Sequence, residues 1–204
     1  MAKYTVQQSA VTQLLADVKS DKIAIPELQR PFVWDSIKVR DLLDSLYKGY
    51  PVGYLITWQS VGAALKGGQL AAHQQILIDG QQRITALRAA VAGLPVVNKR
   101  YAKIKIAIAF NPVTQEFATT TPVIRKNPEW IADVSAFFNA ESTYGFTKQY
   151  FDRNLDVDQK KARRAWVASK ESRMPRSGSS PSLTIWTSKR FQKSSSGSTR
   201  RVFR

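Results

Sequence analysis

The chain contains no cysteine and a single histidine, His73. Without cysteine there is no disulfide framework, no Cys-ligated zinc and no thiol nucleophile. One histidine excludes, within this chain, a two-histidine zinc protease, a self-contained nuclease centre of the His-Asn-His kind and most imidazole triads. No apolar run approaches the roughly 18 residues that a membrane span needs. The opening MAKYTVQQSAVTQLL lacks the basic head, apolar run and small-residue cleavage site of a secretory leader. These absences together give the expectation of a soluble, cytoplasmic protein with no membrane partner.

Acidic residues are missing from one end. From Ser172 onward there are eight basic side chains (Arg173, Arg176, Lys189, Arg190, Lys193, Arg200, Arg201 and Arg204) and no Asp or Glu. The whole chain of 204 residues has a net charge of +16, which points to a polyanionic partner. Half of that excess lies in the last 33 residues, so the body is only moderately basic. Apolar residues make up 43%, enough to bury one domain of this length.

Hydrophobic spacing predicts a helix over Val6–Ser20, with Val11, Leu14, Leu15 and Val18 on one face. A short strand, Ile23–Ile25, stops at Pro26. A second helix begins near Asp35 or Ser36, shows the stripe Ile37, Val39, Leu42, Leu43 and Leu46, and ends at Gly49. Gly53–Trp58 reads as a strand, 60–72 as a loop and Gln75–Ile78 as a buried strand. A helix follows from about Gln82 to Ala92. Lys103–Phe110 alternates lysine with apolar residues like a half-exposed strand, with Glu116–Ala118 as its return strand. Ile131–Phe138 and Asp156–Ser169 read as helices. This alternation predicts an α+β chain: a mixed domain over 1–125, a helical extension over 126–171 and a basic, serine-rich tail over 172–204. By composition that tail should be disordered, and it is either a basic nucleic-acid arm or the product of an out-of-frame translation.

The strongest local signal is ILIDGQQRITAL, residues 76–87. A strand running through a tight Asp-Gly turn into a helix exposes backbone N–H groups at the helix's positive end, a cradle for phosphate. Gly80 permits close backbone approach, and Arg83 can donate two hydrogen bonds to phosphate oxygens. Asp79 can hold Mg²⁺ or accept a proton, and Gln81 and Gln82 can orient water, base or sugar. The structural alternative is that Asp79 caps the helix and Arg83 pairs with it four residues on. No G-x-x-x-x-G-K-[ST] loop is present, so this is not a P-loop.

The second signal is IPELQRPFVW, residues 25–34, in which Pro31 pushes Arg30 towards extended geometry. Phe32 and Trp34 either wall a pocket or belong to the core. Lys99, Arg100, Lys103 and Lys105 beside Tyr101 form a basic edge. They either meet DNA phosphates or guard a strand from aggregation. Lys160, Lys161, Arg163 and Arg164 are open in the same way, and a lone loop histidine such as His73 is more often incidental than functional.

IPELQRPFVW, then LLDSLYKGYPVG, then ILIDGQQRITAL, in that order, resembles the N-terminal domain of GmrSD-type restriction proteins from about residue 5 to 110. The resemblance implies a ParB/sulfiredoxin-like fold. It also implies binding and hydrolysis of a nucleoside triphosphate with Mg²⁺, of unspecified base, coupled to restriction of phage DNA carrying modified bases. By motif position, Gln29, Arg30, Asp79, Gly80, Gln81, Gln82 and Arg83 would contact nucleotide. Asp79, Gln81, Gln82 and Arg83 would be catalytic, with Asp79 on the metal. Members commonly carry a C-terminal nuclease domain with a His-Asn-His-type core, for which this chain has neither room nor histidines. Cleavage would then fall to a separate nuclease chain, a homodimer remains open, and the chain itself is an NTPase component, a ParB-like DNA-binding switch or a truncated remnant.

Overall fold

The computed structural model describes residues 4–26, 31–59, 64–65, 68–69, 74–171 and 183–189. Strand β1 (Tyr4–Ser9) opens the chain, and Ala10, in extended geometry, leads into helix α1 (Val11–Lys19). The helix expected from Val6 therefore starts later, and the residues before it are a strand whose partner lies at the far end of the sequence. After β2 (Ile23–Ala24), Asp35 begins helix α2 (Ser36–Lys48) by accepting the Lys38 N–H at 2.8 Å. The stripe Val39, Leu42, Leu43 and Leu46 is buried as its spacing requires, while Ile37 stays exposed.

Strand β3 (Tyr54–Gln59) follows, and two short strands, β4 (Ala64–Leu65) and β5 (Gly68–Gln69), pair within the stretch read as a loop. The rest of that stretch and His73 lie outside the described residues. Strand β6 (Gln75–Asp79) then runs into helix α3 (Gln81–Ala90). This helix buries Ile84, Ala86, Leu87, Ala89 and Ala90. Three alanines on the buried face let it lie close against its neighbours α1 and α2.

Lys103–Phe110 divides in two. Strand β8 (Lys103–Ile104) pairs with β7 (Val96–Val97), whereas β9 (Ile108–Asn111) pairs with β10 (Glu116–Thr119) as the expected hairpin. All of β9 is buried, so only its first half matches the half-exposed pattern. The break falls at Lys105, whose ammonium leaves the strand to reach Asp133 at 2.9 Å. Helices α4 (Pro122–Lys126), α5 (Val134–Phe138), α6 (Thr143–Arg153) and α7 (Gln159–Glu171) follow. Trp166 of α7 is buried among the rings of Phe137, Tyr150 and Phe151, with centroids 5.0–5.9 Å away. Helix α6 is not evident from apolar periodicity. Ser142 starts it by accepting the Gly145 N–H at 3.1 Å, and Tyr150 and Phe151 then anchor it to Trp166.

Within the serine-rich end, Leu183–Lys189 is strand β11. It lies inside the main sheet, whose order is β1-β11-β3-β6-β2. It runs antiparallel to β1 and parallel to β3, with Thr187 opposite both Thr5 and Thr57. Ile185 and Thr187 point to the core beside Leu55 and Thr57. Thr57 Oγ1 lies 2.8 Å from Thr187 Oγ1 and 3.3 Å from Gln75 Oε1. A hydroxyl has one proton, so Thr57 donates to Gln75 and accepts from Thr187. Residues 172–182 and 190–204 lie outside the described residues.

The Lys105–Asp133 pair carries a pH dependence. Burial opposes the Asp133 carboxylate, but hydrogen bonds from the Ser135 hydroxyl and backbone and from Lys105 outweigh it and hold its pKa below the usual value. A depressed folded-state pKa gives stability that is complete above the unfolded value, near 4, and is lost as pH falls through the folded one. Melting temperature should therefore fall more steeply below about pH 4 in the wild type than in Asp133→Asn. Parallel acid limbs would remove this contribution.

Candidate functional site

The motif strand and helix meet at Gly80, whose φ of +97° is left-handed. A Cβ there would overlap Leu55 Cδ2 in the buried heart of β3. Gly80 occupies the position before the first helical residue, and no side chain caps the helix. Asp79 thus does not cap it, although the expected pairing with Arg83 is present at 3.4 Å.

The three polar side chains of the first turn of α3 bind backbone. Gln81 Nε2 donates to the Pro26 carbonyl at 3.1 Å. Gln82 Oε1 accepts the Val33 N–H at 3.0 Å, and its Nε2 donates to the Pro31 carbonyl at 3.4 Å. Together they fasten Pro26 on one side of the Gln-Arg motif, and Pro31 and Val33 on the other, to one helical turn. Gln29 and Arg30 themselves lie outside the described residues. Arg83 Nη1 donates to the carbonyls of Val52 and Tyr54 at 3.2 and 2.7 Å. Gly53 between them, at φ +85°, lies so close that a Cβ would sit 2.9 Å from that nitrogen. Arg83 therefore joins LLDSLYKGYPVG to the Asp-Gly turn. The Arg83 side chain is 19% exposed, while that of Asp79 is 63% exposed and meets Arg83 through Oδ2.

Beside these clamps lies a cleft of about 550 Å³. Its α3 wall presents Gln81, Thr85 and Arg88, spaced on one helical face. The facing wall is the 94–97 stretch and Tyr101, and Pro26, Pro31 and Phe32 close the third side. Arg88 and Leu94 also border a second cleft of about 640 Å³ towards α1 and Phe138. Arg88 is exposed, and among the described residues its guanidinium has no carboxylate partner. It was missed in the sequence because it sits outside the motif. Its register, seven residues after Gln81, was the available signal. First-turn N–H groups have no partner within a helix, so the front of α3 adds donors to the same region.

Of the basic edge, only Tyr101 lines this cleft. Asn98 Oδ1 accepts the N–H groups of Arg100 and Ala102 at 2.8 and 3.0 Å. That fixes a turn with Tyr101 at φ +59°, exposing Lys99, Arg100 and Tyr101. Phe32 N–H donates to the Val97 carbonyl at 2.8 Å, joining the β7–β8 hairpin to the loop that carries the second motif. Phe32 is buried and also lines the cleft, whereas Trp34 is half-buried against the core and does not line it. Lys99, Arg100 and Lys103 have no carboxylate partner among the described residues, whereas Lys105 is taken by Asp133.

Among the described residues no group of three or more His, Asp or Glu side chains converges as a protein-built metal cage. Asp79 is a single carboxylate with one oxygen available. That matches the way Mg²⁺ is usually held, by one or two carboxylates together with the phosphates it accompanies. No helix among the described residues is long and apolar enough to cross a membrane.

A family model described as GmrSD restriction endonuclease, N-terminal domain, matches residues 11–193, a span that takes in β11. No curated protein matches the chain.

Proposed function

Because this chain belongs to the GmrSD restriction endonuclease N-terminal domain family, we propose that it is the nucleotide-responsive component of a DNA restriction system. In this reading it binds a nucleoside triphosphate with Mg²⁺ in the cleft beside α3. Hydrolysis there drives action on modified phage DNA, with strand cleavage supplied by another domain or chain. The observation that carries the reading is the convergence on one cleft of the first turn of α3, the unpaired Arg88 and the loop bearing the Gln-Arg motif.

The roles divide by what each side chain touches. Arg88 and the front of α3 meet phosphate charge, which is the main task in phosphoryl transfer. Asp79, at the end of β6 next to but not lining the cleft, would offer a carboxylate oxygen to Mg²⁺, which would neutralise the phosphates when bound. Gln81 and Gln82 connect cleft to loop: ligand groups that take over their amides release Pro26, Pro31 and Val33. Arg83 is a positioning residue, holding the Asp-Gly turn against the backbone at Val52 and Tyr54. The hairpin cations Lys99, Arg100 and Lys103 lie on the same hairpin as the cleft residues Val96, Val97 and Tyr101, where DNA would approach.

A second reading, a switch that binds nucleotide without turnover, is favoured by one fact. All three polar side chains of the first turn hold conformation rather than pointing free into the cleft.

Calorimetric titration of ATP, GTP, CTP and UTP with Mg²⁺ tests both. At least one nucleotide should bind the wild type. Arg88→Ala should weaken it about 10- to 100-fold, the value of a hydrogen bond to a charged group. Phosphate release on adding DNA supports the hydrolytic reading, and binding without release supports the switch. A folded chain that binds none of the four overturns both.

A further inference from the structure

Helix α7 carries its charges in a pattern that works against its own stability. Its buried face is Ala162, Ala165 and Trp166, and the opposite face exposes Lys160, Lys161, Arg163 and Arg164. The first turn holds two cations and no acid, although the positive end of a helix favours anions. Lys160 and Arg164 are like charges four residues apart, a spacing that favours opposite ones. A face meant only for solvent looks different in this same protein: on α2, Asp44 and Lys48 use that spacing for an ion pair at 2.7 Å. Asp158 caps the helix, its carboxylate accepting the N–H groups of Lys160 and Lys161 at 2.9 and 3.1 Å, but neither it nor Asp156 forms an ion pair with the exposed cations among the described residues. Arg163 is steadied over the Phe151 ring at 5.1 Å.

We propose that this face of α7, with Lys160, Lys161 and Arg164 at its centre, docks on the phosphate backbone of duplex DNA. The inference rests on the restriction reading for its choice of polyanion, but it concerns a surface away from the cleft. Lys160 and Arg164 stand about 6 Å apart along the axis at 1.5 Å per residue. Duplex DNA offers one negative charge per ~1.7 Å of its length, so neighbouring phosphates meet all the cations at once. Contacts of this kind fix position and carry no base sequence. They would hold DNA while the cleft, elsewhere on the domain, responds to nucleotide.

The test is fluorescence anisotropy of a labelled 20-base-pair duplex between 50 and 200 mM salt. It uses the full chain as wild type and as the double variant Lys160→Gln, Arg164→Gln. Two lost phosphate contacts should flatten the slope of log K against log salt by about 1.8, and affinity near 100 mM should drop about tenfold or more. Nucleotide titration of the variant should match the wild type and its melting temperature should be equal or slightly higher, since neither residue lines the cleft or belongs to the core and a like-charge pair is removed. A variant with wild-type slope and affinity overturns the proposal, as does a wild type that shows no salt-dependent binding. An RNA duplex of equal length bound more tightly than the DNA overturns the choice of partner. Salt-dependent DNA binding lost in the variant, with no nucleotide bound by either protein, would remove the nucleotide reading and leave this one standing.

Discussion

Replacing Gly80 by alanine should lower the stability of the folded chain by about 2–5 kcal/mol, with a fall in melting temperature of about 10 °C. Two costs add. A non-glycine residue at a left-handed φ such as +97° pays roughly 1–2 kcal/mol in steric strain. The new methyl group would also overlap Leu55 Cδ2, and Leu55 has nowhere to go because it is fully buried. Overpacking of that kind costs about 1–3 kcal/mol. The damage extends to the site, because Gly80 sets the direction in which Gln81, Gln82 and Arg83 leave the strand. Nucleotide affinity, where the wild type shows it, should fall with stability. Gly145→Ala is the matched control: its Cβ meets only Ser142 at 3.6 Å in an ordinary helical conformation. That substitution should be neutral or stabilise α6 by up to about 1 kcal/mol. Equal melting temperatures for Gly80→Ala and the wild type would mean that the turn does not hold the described geometry.

A chain stopped after Glu171 should lose its cooperative thermal transition altogether. Strand β11 joins β1 to β3, so its removal leaves β1 without a neighbour and opens the ladder edge of β3. It also uncovers Leu55 and Thr57 and takes the Thr187 hydroxyl from Thr57. Emptying a single buried position, as in Ile185→Ala, costs about 2–5 kcal/mol. Domains of this kind hold only some 5–15 kcal/mol in total, so losing the entire strand exhausts the reserve. Circular dichroism melts of the full chain, Ile185→Ala and the truncated chain would measure this series. If the truncated chain melts within a few degrees of the full one, the serine-rich end contributes nothing and the sheet order is wrong. That outcome would fit an end that carries no folding information.

What was legible in the sequence depended on whether the partner of each residue was near or nameable. Helix α2 could be read because Val39, Leu42, Leu43 and Leu46 repeat with the helical period and Asp35 caps where it should. The β6–Gly80–α3 turn was equally clear, since glycine punctuates a buried strand and a helix. Strands β1 and β11 were hidden for one reason: each is a weak local pattern whose partner sits at the opposite end of the chain. Leu183, Ile185 and Thr187 do alternate with Thr184, Trp186 and Ser188, but the serines around them set the composition. The polar side chains of the motif posed another difficulty. Gln81, Gln82 and Arg83 bind main-chain carbonyls and an amide of Pro26, Pro31, Val33, Val52 and Tyr54, and backbone groups leave no mark in a sequence. Their residue types suggest ligand chemistry, while their positions make them fasteners. Arg88 is the reverse case, an ordinary helical arginine by sequence whose importance comes from the cleft it faces.

The pairing of β1 with β11 also sets the order in which the molecule can be completed during synthesis. Tyr4 leaves the ribosome well before Ser188, its partner. At roughly 5–20 residues per second the first strand waits on the order of 10–40 s for the last. Through that interval YTVQQS is a neutral, proline-free segment with an open edge, the kind of segment that recruits other chains. The sheet is therefore completed only after β11 has emerged, and contacts this distant in sequence make that step slow. Yield from the cell should depend on how crowded the nascent chains are, and lower expression temperature or slower induction should raise the soluble fraction.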